Sequence, residues 1–268
     1  MPVTPEGAGS DLVRSSGPNS HNSAARERYP PAAAVTGAGC PEDDFHRAIE
    51  AGMKRGRGYR HVKRLFDLTF SAAALVILSP LFLVVAIMIK TAAEDVPVFF
   101  GGEGRIGLDG RLFKLWKFST MVRDADRKLN DLLASDPALR HEWAEHAKMR
   151  NDPRILPRIG RFLRRTSLNE LPQLWNVFFG EMSIVAPRPI MQAEEHYYIR
   201  YGGEEVLRAR NALRPGITGL WQATERSDVT YERRVQIDID YLCRQSFWFD
   251  MKIIWWTVGK VLSGSGAV

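Results

Sequence analysis

Cysteine is nearly missing from this sequence: Cys40 and Cys243 are the only two among 268 residues, far apart and in no C-x-x-C spacing. That excludes a disulfide framework and a cysteine-based zinc site, and it fits a reducing compartment. Histidine offers no metal motif either. The one tempting run, His141-Glu142 with His146, spaces its histidines five apart, so on a helix they diverge by roughly 140° and H-E-x-x-H is not met. Large apolar residues are few in residues 1–57, which are rich in Gly, Pro, Ser and Ala and read as a flexible tail. The tail lacks the apolar core of a secretory signal, so nothing in it suggests export.

What is present is positive charge and one long uncharged run. A net charge of +6 and a pI near 9.4 favour an anionic partner: nucleic acid, acidic lipid or a phosphorylated substrate. With 45% hydrophobic and 25% charged residues, the chain can bury a core, and one domain plus appendages is expected. Leu68 to Ile89 holds 22 residues without a charge, flanked by Lys63 and Arg64 before and Lys90 after. That length reaches across a bilayer core of about 30 Å. Ser79-Pro80 sits at its midpoint, where proline removes a helical hydrogen bond and forces a sharp bend. Two halves of about eleven residues, each near 16 Å, reach only halfway across. A re-entrant hairpin with both cationic ends on the cytoplasmic side fits this pattern, and a straight span is the alternative.

Beyond the run, residues 96–121 carry Gly102-x-Gly104-x-x-Gly107, which formally matches a dinucleotide fingerprint. No helix pattern follows, and Asp109-Gly110 signals a turn into a second strand, Arg111 to Phe118, so a β-hairpin is expected. Charged helical patterns cover 122–148 (interrupted at Asp136-Pro137), 192–212 and Tyr231 to Tyr241. Between the last two, Arg214-Pro215-Gly216-Ile217-Thr218-Gly219 reads as a loop turned by Pro-Gly, either an ordinary turn or a contact for a nucleotide or phosphate. The closing FWFDMKIIWWTVGKVL mixes tryptophans, aliphatics and lysines as a membrane-interface helix does. The architecture expected is α+β and mostly helical.

The densest chemistry lies in Arg158 to Pro189. Arg158, Arg161, Arg164 and Arg165 alternate with Ile159, Phe162 and Leu163 at helical spacing, giving a cationic and an apolar face. Ser167-Leu168-Asn169-Glu170 fits an S-x-x-E capping box, and equally a carboxylate set among arginines for metal-assisted phosphoryl transfer. Pro187-Arg188-Pro189 fixes the backbone on both sides of one arginine, which is therefore positioned. These arginines adjoin a membrane segment and no nucleic-acid reader motif is recognised, so nucleic acid is set aside.

Taken in order, KRLFDLTFS with the Ser-Pro break, PVFF, RIG, KFSTM, NDPRI, RRTSLNELPQLWNV, GEMSIVAPRP and RPGITGLWQ resemble the bacterial sugar transferases, the monotopic polyprenyl-phosphate phosphoglycosyl transferases. The likeness runs from about Arg60 to the C-terminus and is similar to the small exopolysaccharide-type form. It implies a tail over 1–57, a re-entrant hairpin over 58–92 and a catalytic domain over 93–268 with amphipathic interfacial helices. It also implies a monotopic protein of the bacterial cytoplasmic membrane facing the cytoplasm, in contact with membrane lipids; homodimerisation stays open. The implied reaction moves a sugar 1-phosphate from a UDP-sugar to undecaprenyl phosphate and releases UMP, as an early step of exopolysaccharide synthesis. In the family an Asp-Glu pair provides nucleophile and Mg²⁺ ligand. Here Asn169 stands at the nucleophile position and Glu170 at the metal position. Arg164, Arg188 and Arg214 match substrate-binding arginines, and Lys63 and Arg64 lie where the lipid phosphate would be met. Ser119 stands where the family usually has arginine, and Ala186 where it usually has glycine. Asn169 leaves three readings: an engineered trap, a natural variant using another route, or a catalytically silent membrane-anchored protein that binds sugar nucleotide or assembles a polysaccharide complex.

Overall fold

The computed structural model describes residues 57–262 apart from 138, 142–148, 150–151 and 226–229. The expected tail, all but its last residue, lies outside the described residues, as do Cys40 and His146.

The uncharged run divides into two helices, α1 (Arg57–Ile77) and α2 (Ser79–Ala92), meeting at a 58° bend. The cause is local. Pro80 has no amide to give the carbonyl of Val76, four residues back, and the Ser79 hydroxyl donates to that carbonyl instead at 2.8 Å. Among the described residues no single helix is long and apolar enough to cross a membrane, but the bent pair together is a candidate span. Val62, Leu65, Val76, Ile77, Leu83, Val84 and Ile87 stay exposed along it, while Val85 and Ile89 turn inward. Just before the run, Asp67 is buried and accepts from the Ile184 amide at 2.9 Å and the Ser183 hydroxyl at 3.1 Å, which fastens α1 to the rest of the chain.

Strands β1 (Phe99–Ile106) and β2 (Leu112–Phe118) form the expected antiparallel hairpin, with Asp109 and Gly110 both at left-handed φ in the turn. The glycines expected in a loop lie largely inside β1, where the register slips between Gly101 and Gly104. Next come α3 (Ala125–Ser135), α4 (Ile159–Arg165), a 3₁₀ turn Leu168–Glu170 and α5 (Gln173–Phe179). Strand β3 (Ser183–Val185), a 3₁₀ turn Gln192–Glu194, α6 (Glu195–Asn211), β4 (Gly216–Thr218), α7 (Leu220–Thr224), α8 (Tyr231–Arg244) and α9 (Phe247–Leu262) complete the chain.

The fold is thus mostly helical α+β with small sheets. Two expectations need correction. Pro215-Gly216 does not turn the chain: β4 pairs parallel with β3, Gly216 opposite Ser183 and Thr218 opposite Val185. Gly216 serves close approach, since a Cβ there would sit 2.2 Å from the Ala186 amide nitrogen. Nor does a capping box form at Ser167, which takes φ 59° and makes no side-chain cap bond.

Three apolar clusters hold these elements. The largest joins Phe113 and Leu115 of β2 to α5, β3, α7, α8 and α9 through Val177, Val185, Leu220, Ile237 and Ile253. A second packs α6 on α8 through Tyr198, Val206, Val235 and Leu242, with Ile106 and Ile190. The third seats α2 on α4 and the end of β2 through Ile89, Phe118 and Leu163. Burial at roughly 25 cal/mol per Å² is the driving term in each.

Candidate active site

Helix α4 ends at Arg165, and the left-handed Ser167 swings the chain into the Leu168–Glu170 turn. Leu168 packs against the α2–α4 cluster, and Pro172 N-caps α5. This turn carries Asn169 and Glu170, both half-buried, against the outer end of β2. There the Lys117 ammonium donates to Glu170 Oε1 at 2.8 Å. Burial pushes Lys117 below the usual lysine range, Glu170 opposes this, and the charges of Arg188 and Arg105 push it down further. The Lys117–Glu170 pair therefore lies in the field of Arg188 and of Arg105, whose Nη1 is 3.6 Å from the Glu194 carboxylate. A surplus of positive charge in a partly desolvated place is what a pyrophosphate requires.

Arg188 is the only exposed residue within 182–190, all of which are described. It projects from a buried run between two prolines. Arg164 points elsewhere along the same surface: its Nε donates to Thr120 Oγ1 at 2.9 Å, and it lies in the field of Asp152 and Arg154. Those two form a fork, Arg154 Nε to Asp152 Oδ1 at 2.8 Å and Nη2 to Oδ2 at 2.7 Å. Burial would raise the Asp152 carboxyl, but the Arg154 hydrogen bonds and the charges of Arg154 and Arg164 hold it below the ordinary carboxylate range.

The other expected substrate cations make contacts within the protein. Arg64 donates to the Val177 carbonyl at 2.6 Å and the Phe178 carbonyl at 2.8 Å, and Arg214 Nε donates to the Gly180 carbonyl at 2.7 Å. Two guanidinium groups therefore cap the C-terminal end of α5, where the dipole is negative; the Val177 carbonyl also accepts from the Gly180 amide at 3.0 Å, whereas the helical i+4 amides run out. Lys63 donates to the buried Asp250 at 2.6 Å, which also accepts from Tyr59 and Tyr241 at 3.1 and 2.9 Å. The structure brings Glu170 and Arg188 together around Lys117; it sets Lys63, Arg64 and Arg214 about the packing of α1 on α5 and α9.

Sequence reading missed Lys117, Arg105, Asp152 and Arg154. For Lys117 a signal existed, since Phe113, Leu115 and Lys117 share one parity of the strand and the first two face the core. A lysine on the inward face of a strand needs a carboxylate. For the Asp152–Arg154 fork nothing in the spacing marked a pair.

Comparisons with known proteins give the family. The family model described as bacterial sugar transferase matches residues 58–264. Among curated relatives, a UDP-galactose-lipid carrier transferase of Erwinia amylovora is 45% identical over 208 residues, 78% of this chain and 42% of that protein. An undecaprenyl-phosphate galactose phosphotransferase of Salmonella typhimurium is 42% identical over 79% of this chain and 42% of its own length. The exopolysaccharide production protein ExoY of Sinorhizobium fredii is 42% identical over 76% of this chain and 87% of its own. The chain thus spans about two fifths of the first two relatives and most of the third. With the family model covering most of its length, the chain belongs to the bacterial sugar transferase family.

Proposed function

We propose that this protein transfers a sugar 1-phosphate from a UDP-sugar to a polyprenyl phosphate of the undecaprenyl type and releases UMP. The observation that carries the reading is Glu170 beside the half-buried Lys117, with Arg188 and Arg105 in electrostatic reach. In such a transfer an attacking oxygen bonds to the sugar-side phosphorus, the bond from that phosphorus to the oxygen of the UMP leaving group breaks, and the lipid phosphate takes the phosphosugar. Arg188, Arg105 and Lys117 neutralise the charge that grows on the pyrophosphate oxygens, and Lys117 orients Glu170.

Mg²⁺ fits the donor set. Among the described residues no three His, Cys, Asp or Glu side chains gather, and Mg²⁺ commonly takes one or two carboxylates with substrate phosphates and water for the rest. Glu170 would hold it, exchanging its Lys117 contact for the ion. When bound, Mg²⁺ would supply neutralisation of the charge on the phosphates.

Asn169 favours a second reading, a silent membrane-anchored binder of sugar nucleotide, because a neutral amide is a very poor nucleophile. Incubation with UDP-sugar, polyprenyl phosphate and Mg²⁺, of the chain as it stands and as Asn169→Asp, separates the two. UMP release by the chain as it stands overturns the silent reading; release by Asn169→Asp alone makes the asparagine the defect and supports the silent reading for this chain; no release by both overturns the transferase.

The bent pair α1–α2 and the exposed Phe178, Phe179, Trp248 and Trp255 support a monotopic seat on the cytoplasmic leaflet. Legs of 21 and 14 residues meeting at 58° put the bend only about 12 Å below a face that holds both ends, less than half the hydrocarbon core. With Cys40 and Cys243 replaced, single cysteines at Arg60 and Thr91 are expected to label from the same side of sealed vesicles. Labelling from opposite sides means a spanning helix.

A further inference from the structure

We propose that Arg210, at the end of α6, is a positioning residue that holds the backbone of Arg188 and so aims its guanidinium at the Glu170–Lys117 pair. The inference rests on the transferase reading only for its kinetic arm. Pro187 and Pro189 bracket Arg188 and have no N–H, so the segment is held chiefly by its carbonyls. Three of these carbonyls are taken, each by a different element. The Pro187 carbonyl accepts from the Gly216 amide at 2.8 Å, and the Ile190 carbonyl from the Ile106 amide at 2.9 Å. The carbonyl of Arg188 itself accepts from Arg210 Nη2 at 2.5 Å. Of these three holds only the last is a side chain, and it acts on the residue that faces the site.

Arg210 is built for this rather than for solvent. It is 3% exposed, its carbon Cζ lies 5.1 Å from the centre of the Tyr198 ring, and its Nη1 donates to Asn211 Oδ1 at 3.0 Å. Tyr198 is fixed in turn, donating to the buried Asp238 at 2.6 Å. A buried guanidinium carries a large desolvation cost, offset here by a carbonyl, an amide oxygen and an aromatic face. The chain Asp238–Tyr198–Arg210 thus ends on the backbone of the one exposed residue in its segment. A positioned phosphate-binding group gains from such support because a shift of about 1 Å costs on the order of 100-fold in rate.

Hydrogen exchange and a double-substitution cycle test this. In Arg210→Gln, amides of residues 186–191 are expected to exchange about tenfold faster, while those of α9 change less than about twofold. Exchange at 186–191 unchanged against α9 overturns the proposal, whether or not the protein turns over. In whichever of the parent or Asn169→Asp forms releases UMP, Arg210→Gln is expected to lower kcat/KM for UDP-sugar by about 10- to 100-fold. In the Arg188→Gln background the same change adds less than about twofold, because the group it aims is already gone. Losses that multiply in the double variant mean that Arg210 acts independently of Arg188, and the proposal fails. If neither form releases UMP, the transferase reading fails, and Arg210 is judged on exchange alone. If Arg210→Gln does not fold, Arg210→Lys replaces it, with faster exchange at 186–191 again the expected result and unchanged exchange the overturning one.

Discussion

Helix α5 has two ends that look alike in sequence, each close to basic residues, and the structure uses them in opposite ways. Beyond its C-terminus, Arg64 and Arg214 bind the carbonyls of Val177, Phe178 and Gly180 and complete the fold. Before its N-terminus, Lys117 pairs with Glu170 in the field of Arg188 and of Arg105, which lies 3.6 Å from a second carboxylate, Glu194, so three cations face two carboxylates. What separates them is whether a helix-end carbonyl lies within reach. A guanidinium beside a helix C-terminus is drawn to backbone oxygen; one beside a helix start, where amides point outward, has no such partner.

The sharpest way to break this contrast is Glu170→Gln in an active form. Loss of this carboxylate is expected to lower turnover by about 1,000-fold or more, since it removes both the proposed Mg²⁺ ligand and the Lys117 partner. The melting temperature of the same variant, with a half-exposed ion pair lost, is expected to fall only slightly. UMP release near the parent rate would show that the charge at this end of α5 is structural as well.

A smaller effect is expected behind the site. Burial pushes the Asp238 carboxyl up to about 6 from an ordinary 3.8, against the lowering effects of Tyr198, Arg210 and Arg234. A raised carboxyl gives stability that is present below about pH 4 and lost as pH rises through about 6, on the order of 2–3 kcal/mol. Asp238→Asn, which keeps an acceptor for Tyr198, is therefore expected to flatten the stability profile between pH 4 and 6 and to melt higher at pH 7.5. A steeper profile in denaturant titrations would contradict that sign.

The smallest effect sharpens the other side. Arg64→Ala is expected to cost about 1–2 kcal/mol by uncapping α5, with the KM for polyprenyl phosphate nearly unchanged. A large rise in that KM with stability intact would restore Arg64 to the lipid-binding role suggested by its place in the sequence.

Much of this was legible beforehand. The Ser-Pro bend, the hairpin around Asp109-Gly110 and the helix on the arginine repeat follow from short-range rules, and the structure has all three. Glu170 and Arg188 stood out as candidates because a lone carboxylate and a proline-bracketed arginine are unusual locally, and the structure places both near Lys117. The parallel pairing of β3 with β4 was not, because three-residue strands 30 or so positions apart carry no period, and Pro-Gly reads as a turn until a close backbone approach requires the glycine. The fates of Lys63 and Arg64 were equally hidden. Their partners, Asp250 and the carbonyls after α5, lie more than a hundred residues away.

The hydroxyl of Ser79 has one more implication. In water, an oxygen bereft of its amide by proline finds a solvent molecule; among acyl chains it finds none, and straightening or rotating the joint would strand it. Because the replacement donor is the very next residue to Pro80, the elbow carries its own solvent substitute and is rigid where lipid surrounds it. On the proposed membrane seat, the depth at which α1 and α2 sit is then a built-in dimension of the molecule rather than a response to the membrane it meets.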